Sequence, residues 1–298
     1  MVLRSGGHGP AAARNTGIQA VASPWTAFLD DDVQVGPHWC DQLIQDLAEA
    51  RAHTMALDVT SPLQVIEAVA AEVFARFGRV DYLLNAAGYI LQGAVEEVSP
   101  QEVYNVFNTN VFGALNTIRS FLPRMREQEV GAGAVRATVA TFGSLGSWQC
   151  GADWSIYAMT KHACSALGES LAHELAPFGI RATAIEPGYF RTGFLNAGTQ
   201  ANAALQLPVY NDEATPTGQF RKIVSQIDGN QPGDVVRGCR VIVDVLTGTG
   251  IAQGRQLPVR IALGSDCEKT IREECAAAVS IMDEWKDVIR STDYPKGQ

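Results

Sequence analysis

The sequence predicts an α/β chain built on a Rossmann-like, doubly wound parallel sheet, and three observations predict it. From about residue 53 onward, short apolar runs alternate with long stretches of three- and four-residue apolar spacing. Strands alternating with helices need right-handed crossovers, which make the sheet parallel and cover both its faces. The chemically unusual residues fall just past the predicted strands, where ligands of such sheets bind. A length of 298 residues, 46% hydrophobic and 18% charged, suffices to bury one large core.

Taken in order, residues 53–59 (HTMALDV) read as a buried strand. Ser61, Pro62 and Gln64 then suggest a capping box with proline at the first helical position. Val65, Ile66, Val69, Val73, Phe74 and Phe77 share one helical face, and Gly78 ends that helix. Residues 80–88 form the next strand and a small-residue turn. Ser99 and Glu102 cap a long helix to about Arg126, residues 134–142 are a strand, and a helix spans about 155–177. Residues 180–188 form another strand. Gly, Asn, Pro and Thr dominate residues 190–230, which suits an irregular, mobile lid over the substrate. A helix near 232–247, a strand near 257–263 and a helix near 265–290 complete the chain.

Composition excludes several function classes. The chain has 23 basic and 32 acidic residues, a formal charge of -9, and no basic cluster to track a phosphate backbone. Nucleic acid and anionic membranes are therefore not expected partners. The six cysteines (Cys40, Cys150, Cys164, Cys239, Cys267, Cys275) form no C-x-x-C pair and do not cluster with the five histidines. Neither a metal site nor a disulfide framework is expected, and free thiols suit a reducing compartment. The N-terminus lacks the apolar core of a signal peptide, and no apolar run reaches the roughly 18 residues of a membrane span. A cytoplasmic location is expected.

Tyr157 and Lys161 stand four residues apart on a predicted helix, so their side chains share one face. A phenol titrates near pH ~10, too high for ready proton exchange at neutrality. An ammonium within about 4 to 6 Å favours the phenolate and makes the phenol a usable general acid or base. Ser144 lies just past the strand at 134–142, where its hydroxyl could hold a substrate oxygen beside that phenol. Ser147 is a second candidate, farther from the strand end. Trp148, Trp154, Tyr189, Phe190, Phe194 and Tyr210 surround the same region as pocket walls or structural plugs, and none is given a substrate role. His162 and His173 read as packed or solvated side chains, not ligands.

These residues resemble the active site of the short-chain dehydrogenase/reductase family. Asn85, Ala86, Ala87 and Gly88 are similar to the family's Asn-Asn-Ala-Gly turn, with Ala86 in place of the second Asn. Asn110 opens Asn-Val-Phe-Gly, like the family's helix motif, and Pro187, Gly188 and Thr192 match its Pro-Gly-x-x-x-Thr segment. The C-terminal third looks like extended family members, so the resemblance covers about residues 51–298. It implies NAD or NADP as cofactor and a small-molecule carbonyl or alcohol as substrate. It further implies that Asn110, Ser144, Tyr157 and Lys161 are catalytic. Asp58, Val59, Asn85, Ala86, Ala87, Gly88, Tyr157, Lys161, Pro187, Gly188 and Thr192 would bind the cofactor. By the same resemblance, Asn110 supports a proton-relay water, Lys161 binds the ribose, and the two long helices pair subunits into a homodimer or homotetramer.

The first fifty residues depart from that pattern, giving an incomplete or substituted first β-α-β unit. Where the family carries a strand and a glycine-rich turn, this chain has four residues and then Ser5, Gly6, Gly7, His8 and Gly9. Residues 1–50 instead resemble a fragment of a family 2 glycosyltransferase, in which Asp30, Asp31 and Asp32 would bind the metal of a nucleotide-sugar. Alternatively the segment patches the sheet, with Gly6, Gly7 and Gly9 as a makeshift phosphate turn and Asp30 placed to favour NAD. Each lost charge-assisted contact to the pyrophosphate is worth about 1.5 to 3 kcal/mol. The expected function is hydride transfer between cofactor and a carbonyl or alcohol; the alternatives are an impaired binding remnant and, further off, a glycosyltransferase.

Overall fold

The computed structural model describes residues 2–4, 26–29, 53–130, 135–192, 201–227 and 229–294. Strands β1 (Val2–Arg4) and β2 (Thr26–Leu29) come from the N-terminal fifty residues, and β3 (Thr54–Ala56) follows. Helix α1 (Leu63–Phe77) ends at Gly78, whose φ of 75° requires the left-handed region that glycine enters freely. Next come β4 (Tyr82–Asn85), the short β5 (Leu91–Gln92) and α2 (Pro100–Phe107). A π-helical turn, Asn108–Gly113, joins α2 to α3 (Ala114–Glu127). Strand β6 (Ala137–Phe142), α4 (Ser155–Leu175) and β7 (Ile180–Pro187) form the centre of the molecule. The remainder is β8 (Ala201–Asn202), α5 (Pro216–Ile227), α6 (Val235–Thr247), β9 (Arg260–Leu263), α7 (Ser265–Glu284) and α8 (Lys286–Arg290).

Seven strands form one parallel sheet in the order β3-β1-β2-β4-β6-β7-β9, while β5 and β8 pair separately. The sheet is the doubly wound one expected. Successive residues of its central strands serve opposite faces, as a period of two requires. Leu83 and Val139 join Ile66, Val73, Ile118, Phe121 and Leu171 under α1, α3 and α4. Leu84 and Ala140 join Ile185, Leu246 and Leu263 on the other side, under α6.

Several local expectations change. Residues 53–59 were expected to make a buried strand, but only Thr54–Ala56 pair, at the sheet edge, with Thr54 and Ala56 exposed. An edge strand has a partner on one side only, and burial resumes at Leu57 and Val59 beyond it. The capping box at Ser61 does not form; Pro62 begins α1 without a side-chain cap. The Asp58 carboxylate instead closes the preceding turn, accepting from the Thr60 amide (2.8 Å) and hydroxyl (2.7 Å). Ser99 and Glu102 do form a reciprocal capping box.

The region expected to be an irregular lid contains β8 and α5 among its described residues. Its turn-forming composition conceals a helix start, because Thr215 precedes Pro216 and its hydroxyl accepts from the Gly218 amide at 3.1 Å. At the other end of the chain, the expected helix over 265–290 breaks at Trp285.

The N-terminal strands enter the sheet, with β1 between β3 and β2 and β2 beside β4. In the usual order the phosphate turn follows the strand beside the fourth. That position belongs to β2, which continues into Asp30, and not to β1, which leads toward Gly6. The makeshift-turn assignment is thus reversed at the level of strand order; Gly6, Gly7, Gly9, Asp30, Asp31 and Asp32 themselves lie outside the described residues.

Phe121 is fully buried, with its ring 6.0 Å from that of Phe74. Its replacement by alanine leaves a cavity between α1 and α3 and is expected to cost about 3 to 5 kcal/mol. Urea denaturation of Phe121→Ala, read as a lower midpoint at unchanged slope, checks this.

Candidate active site

Strands β4, β6 and β7 lie side by side, so the residues after their carboxyl ends share one edge. Helix α4 can lie close beneath them because residue 168 is glycine. A Cβ there would stand 2.6 Å from the Thr141 hydroxyl and 3.1 Å from the Ala184 amide nitrogen. This approach brings the first turns of α4 to the sheet edge.

Tyr157 and Lys161 are both buried there. The Ser144 side chain hydrogen-bonds Tyr157. Lys161 Nζ donates to the Phe142 carbonyl at 3.0 Å and lies 5.7 Å from the centre of the Tyr157 ring. Three of the four catalytic expectations therefore meet in one place.

The fourth, Asn110, is fixed by three hydrogen bonds. Its Oδ1 accepts from the Tyr89 amide (3.0 Å), while its Nδ2 donates to the Tyr89 carbonyl (3.0 Å) and the Thr160 hydroxyl (2.9 Å). Thr160 passes its own proton to the Tyr157 carbonyl at 2.7 Å. The π-helical turn places Asn110 there, and Gly113 within it admits Val59, whose Cγ2 would stand 2.7 Å from an added Cβ.

Electrostatics depart from the sequence expectation. Burial raises the Tyr157 pKa well above the ordinary phenolic value; the Ser144 hydrogen bond opposes this and Cys164 adds to it. Burial likewise pulls the Lys161 ammonium below its ordinary value, with Cys164 opposing. Lys161 is not among the groups that set the Tyr157 shift, and the phenol is raised where the sequence led one to expect it lowered.

Ser147 is the structural serine. It is buried and donates to the Lys161 carbonyl at 2.7 Å, and it accepts the Ser144 amide at 3.1 Å. Ser144 is only half-buried and faces Tyr157.

The cofactor-side expectations spread along the same edge. Asn85 is buried, and neither polar atom of its side chain has a hydrogen-bond partner. Ala86 is exposed, Ala87 half-buried, and Gly88 so close to Asn110 that a Cβ would meet its Oδ1 at 3.0 Å. Pro187 ends β7, the Gly188 amide donates to the Leu263 carbonyl at 2.8 Å, and Thr192 is half-buried. Asp58 and Val59 sit past β3, on the other side of β1 and β2.

Of the aromatic candidates, Trp148 is a plug: its indole donates to Glu186 at 2.7 Å and Arg260 lies 4.2 Å over its ring. Phe190 packs into the second core cluster, Tyr210 donates to Glu96 at 2.5 Å, and Phe194 lies outside the described residues. His162 and His173 are exposed on α4.

Sequence reasoning missed two groups. Cys164, one turn beyond Lys161, donates its thiol to the Asn110 carbonyl at 3.1 Å. Glu186, fully buried, holds Arg260 (2.5 Å) and the Ser165 hydroxyl (2.6 Å). The spacing of Cys164 from Lys161 on one helix was a readable signal, whereas Glu186 and Arg260 meet only through strand pairing.

A doubly wound parallel sheet with Ser, Tyr, Lys and Asn at its carboxyl edge is the arrangement that the resemblance to the short-chain dehydrogenase/reductase family implies. A family model described as short chain dehydrogenase matches residues 22–203, and the chain belongs to that family. An oxidoreductase of Botryotinia fuckeliana is 27% identical over 85% of both chains. A short-chain dehydrogenase from Streptomyces avermitilis is 35% identical, covering 85% of this chain and 86% of its own, with a TM-score of 0.69. A Burkholderia phymatum family member in complex with NAD shares the fold at TM-score 0.62 and 20% identity, over 92% of this chain and 89% of its own. The family match starts at residue 22 and so includes β2. Among the described residues, no helix is long and apolar enough to cross a membrane.

The two serines separate in their effects. Ser144→Ala is expected to lower kcat by about a hundredfold, since one hydrogen-bond donor to a reacting oxygen is worth ~10² to 10³, with a loss of about 0.5 to 2 kcal/mol in stability because its hydroxyl also accepts the Gly146 amide at 3.1 Å. Ser147→Ala leaves buried groups unpaired and is expected to cost about 1 to 3 kcal/mol in thermal or urea unfolding.

Proposed function

We propose that this chain is an NAD(P)-dependent oxidoreductase that interconverts a carbonyl and an alcohol, with Tyr157 as general acid/base. The observation that carries the reading is the buried Tyr157 phenol hydrogen-bonded to Ser144 beside Lys161. Burial holds the phenol protonated, which is the form that donates to a carbonyl oxygen in the reductive direction. Ser144 shares that oxygen and orients it. Asn110 steadies the Tyr157 turn through Thr160.

The residues fit a dinucleotide cofactor. Asn85 offers a buried, unpartnered amide at the end of β4, Gly88 keeps the turn free of a side chain, and Lys161 has two ammonium protons beyond the one given to Phe142. Pro187, Gly188 and Thr192 would face the nicotinamide, and Asp58 and Val59 the adenine. Nicotinamide, when bound, supplies or accepts the hydride. The substrate is a small-molecule carbonyl or alcohol.

One observation favours the remnant reading: the strand in the phosphate-turn position, β2, continues into three aspartates, whose charge repels a pyrophosphate. Titration with NADH and NADPH separates the readings, since absence of binding at millimolar concentration leaves only a remnant. Helix α2, the π-helical turn and α4 expose Tyr104, Phe112 and Met159, which suits pairing into a homodimer or homotetramer; light scattering reads the mass.

Tyr157→Phe is expected to abolish turnover, by at least a thousandfold, while NAD(P)H titration shows unchanged affinity; an undiminished rate overturns the assignment. Because the phenol titrates above its ordinary range, the reductive rate should show no loss on the alkaline side up to about pH 10, whereas alcohol oxidation should rise with pH. Stopped-flow rates in both directions between pH 6 and 10 check this.

A further inference from the structure

Away from Tyr157, one arginine bridges two buried carboxylates. Arg221, in the middle of α5, bonds Glu97 through Nη2 and lies 2.6 Å from Asp153 Oδ1 through the same nitrogen. Its Nε reaches Asp153 Oδ1 at 3.0 Å, and its Nη1 reaches Asn211 at 2.7 Å and Gln206 at 3.1 Å. Both carboxylate side chains have no exposed surface. Their other oxygens are also engaged: Asp153 Oδ2 accepts from Gln92 at 2.5 Å, and Glu97 Oε1 accepts the Leu207 amide at 2.8 Å, while the Ala94 amide, at 2.9 Å, shares Oε2 with Arg221.

Three separate parts of the chain meet here. Glu97 belongs to the segment after β5, Asp153 lies two residues before α4, and Arg221 comes from α5. Asp153 holds a φ of 74°, a left-handed conformation uncommon for a residue with a side chain. Its carbonyl accepts the Gly93 amide at 2.7 Å, so backbone and side chain both serve the junction.

The neighbours of Asp153 and Arg221 carry the junction to the reacting group. Trp154 stacks on Phe220, with ring centres 6.0 Å apart and planes at 15°. Phe220 packs against a cluster of Ile90, Trp154, Tyr157 and Ala158. Consecutive residues of α5 thus touch the ion cluster and the apolar surface around the Tyr157 ring.

Burying three charges is a poor route to stability, because their desolvation offsets most of the attraction. Well-packed apolar residues would hold α5 as firmly. What the cluster adds is register: the guanidinium fork meets two carboxylates in one orientation only.

We propose that Arg221 is a positioning residue that sets α5 so that Phe220, with Trp154, forms the wall of the substrate site beside Tyr157, selecting carbonyl substrates with an apolar or aromatic flank. This rests on the oxidoreductase reading. Asp153 and Glu97 act through Arg221 and do not touch the reacting atoms.

The test compares Arg221→Met, Arg221→Lys and Phe220→Ala with the unaltered full-length chain, reducing acetone and acetophenone with NADH or NADPH. Arg221→Met and Phe220→Ala should raise KM for acetophenone at least tenfold, change kcat less than threefold, and leave KM for acetone and cofactor affinity within twofold. Arg221→Lys, which keeps the charge but loses the fork, should recover part of the KM. A folded Arg221→Met chain whose acetophenone KM stays within twofold overturns the proposal, as does equal loss for both ketones. If Arg221→Met fails to fold, Arg221→Lys carries the same comparison, with a rise in KM expected and no change overturning.

A chain that reduces neither ketone with either cofactor sinks the oxidoreductase reading for these substrates, and hydrogen exchange then decides the positioning role. Amides of residues 216–227 should lose protection at least tenfold in Arg221→Met while those of α1 keep theirs; unchanged protection overturns it.

Discussion

The close approach of α4 to β6 and β7 is the constraint on which the site depends. Gly168 leaves room for the sheet to press against the helix, where any side chain would collide with Thr141 and the backbone of Ala184. With the helix held at that distance, Tyr157 and Lys161 reach the carboxyl edge at the level of Ser144. Ser147 reinforces the arrangement by bonding the Lys161 carbonyl from the loop after β6. Loop and helix are locked together by that buried hydroxyl.

That geometry also sets the electrostatics. A phenol and an ammonium packed out of water each move toward the neutral form, the phenol upward and the amine downward. Burial is the leading cause at both groups, with Cys164 acting on each. Burial thus keeps the Tyr157 phenol in its protonated form. Cys164 extends this line along the helix and occupies the Asn110 carbonyl with its thiol.

Two buried ionic groups flank the site and serve different joints. Glu186 ties β7 to Arg260 of β9 and to Trp148, stiffening the sheet beneath the loop that carries Ser144. Arg221 ties α5 to the segments before α4 and after β5. In both, a single charged side chain gathers parts of the chain far apart in sequence, and loss of one partner strands the others without water.

Much of this was legible in the residues. Strand and helix alternation gives the parallel sheet, because periods of two and of 3.6 are local properties, and the Ser99 and Glu102 cap is equally local. The four-residue interval from Tyr157 to Lys161 is readable for the same reason. Spacing could not show that Ser147 is structural and Ser144 faces the phenol, since that depends on which hydroxyl the α4 carbonyls meet. Nor could it show that burial raises the Tyr157 phenol, that β2 and not β1 takes the place beside β4, or that Arg221 finds Glu97 and Asp153. The sequence by itself determined the class of fold and which side chains to look for at its carboxyl edge, since both follow from patterns a few residues apart. Tertiary structure alone decided protonation, strand order and the ionic junctions, because each depends on groups brought together, and stripped of water, only when distant segments pack.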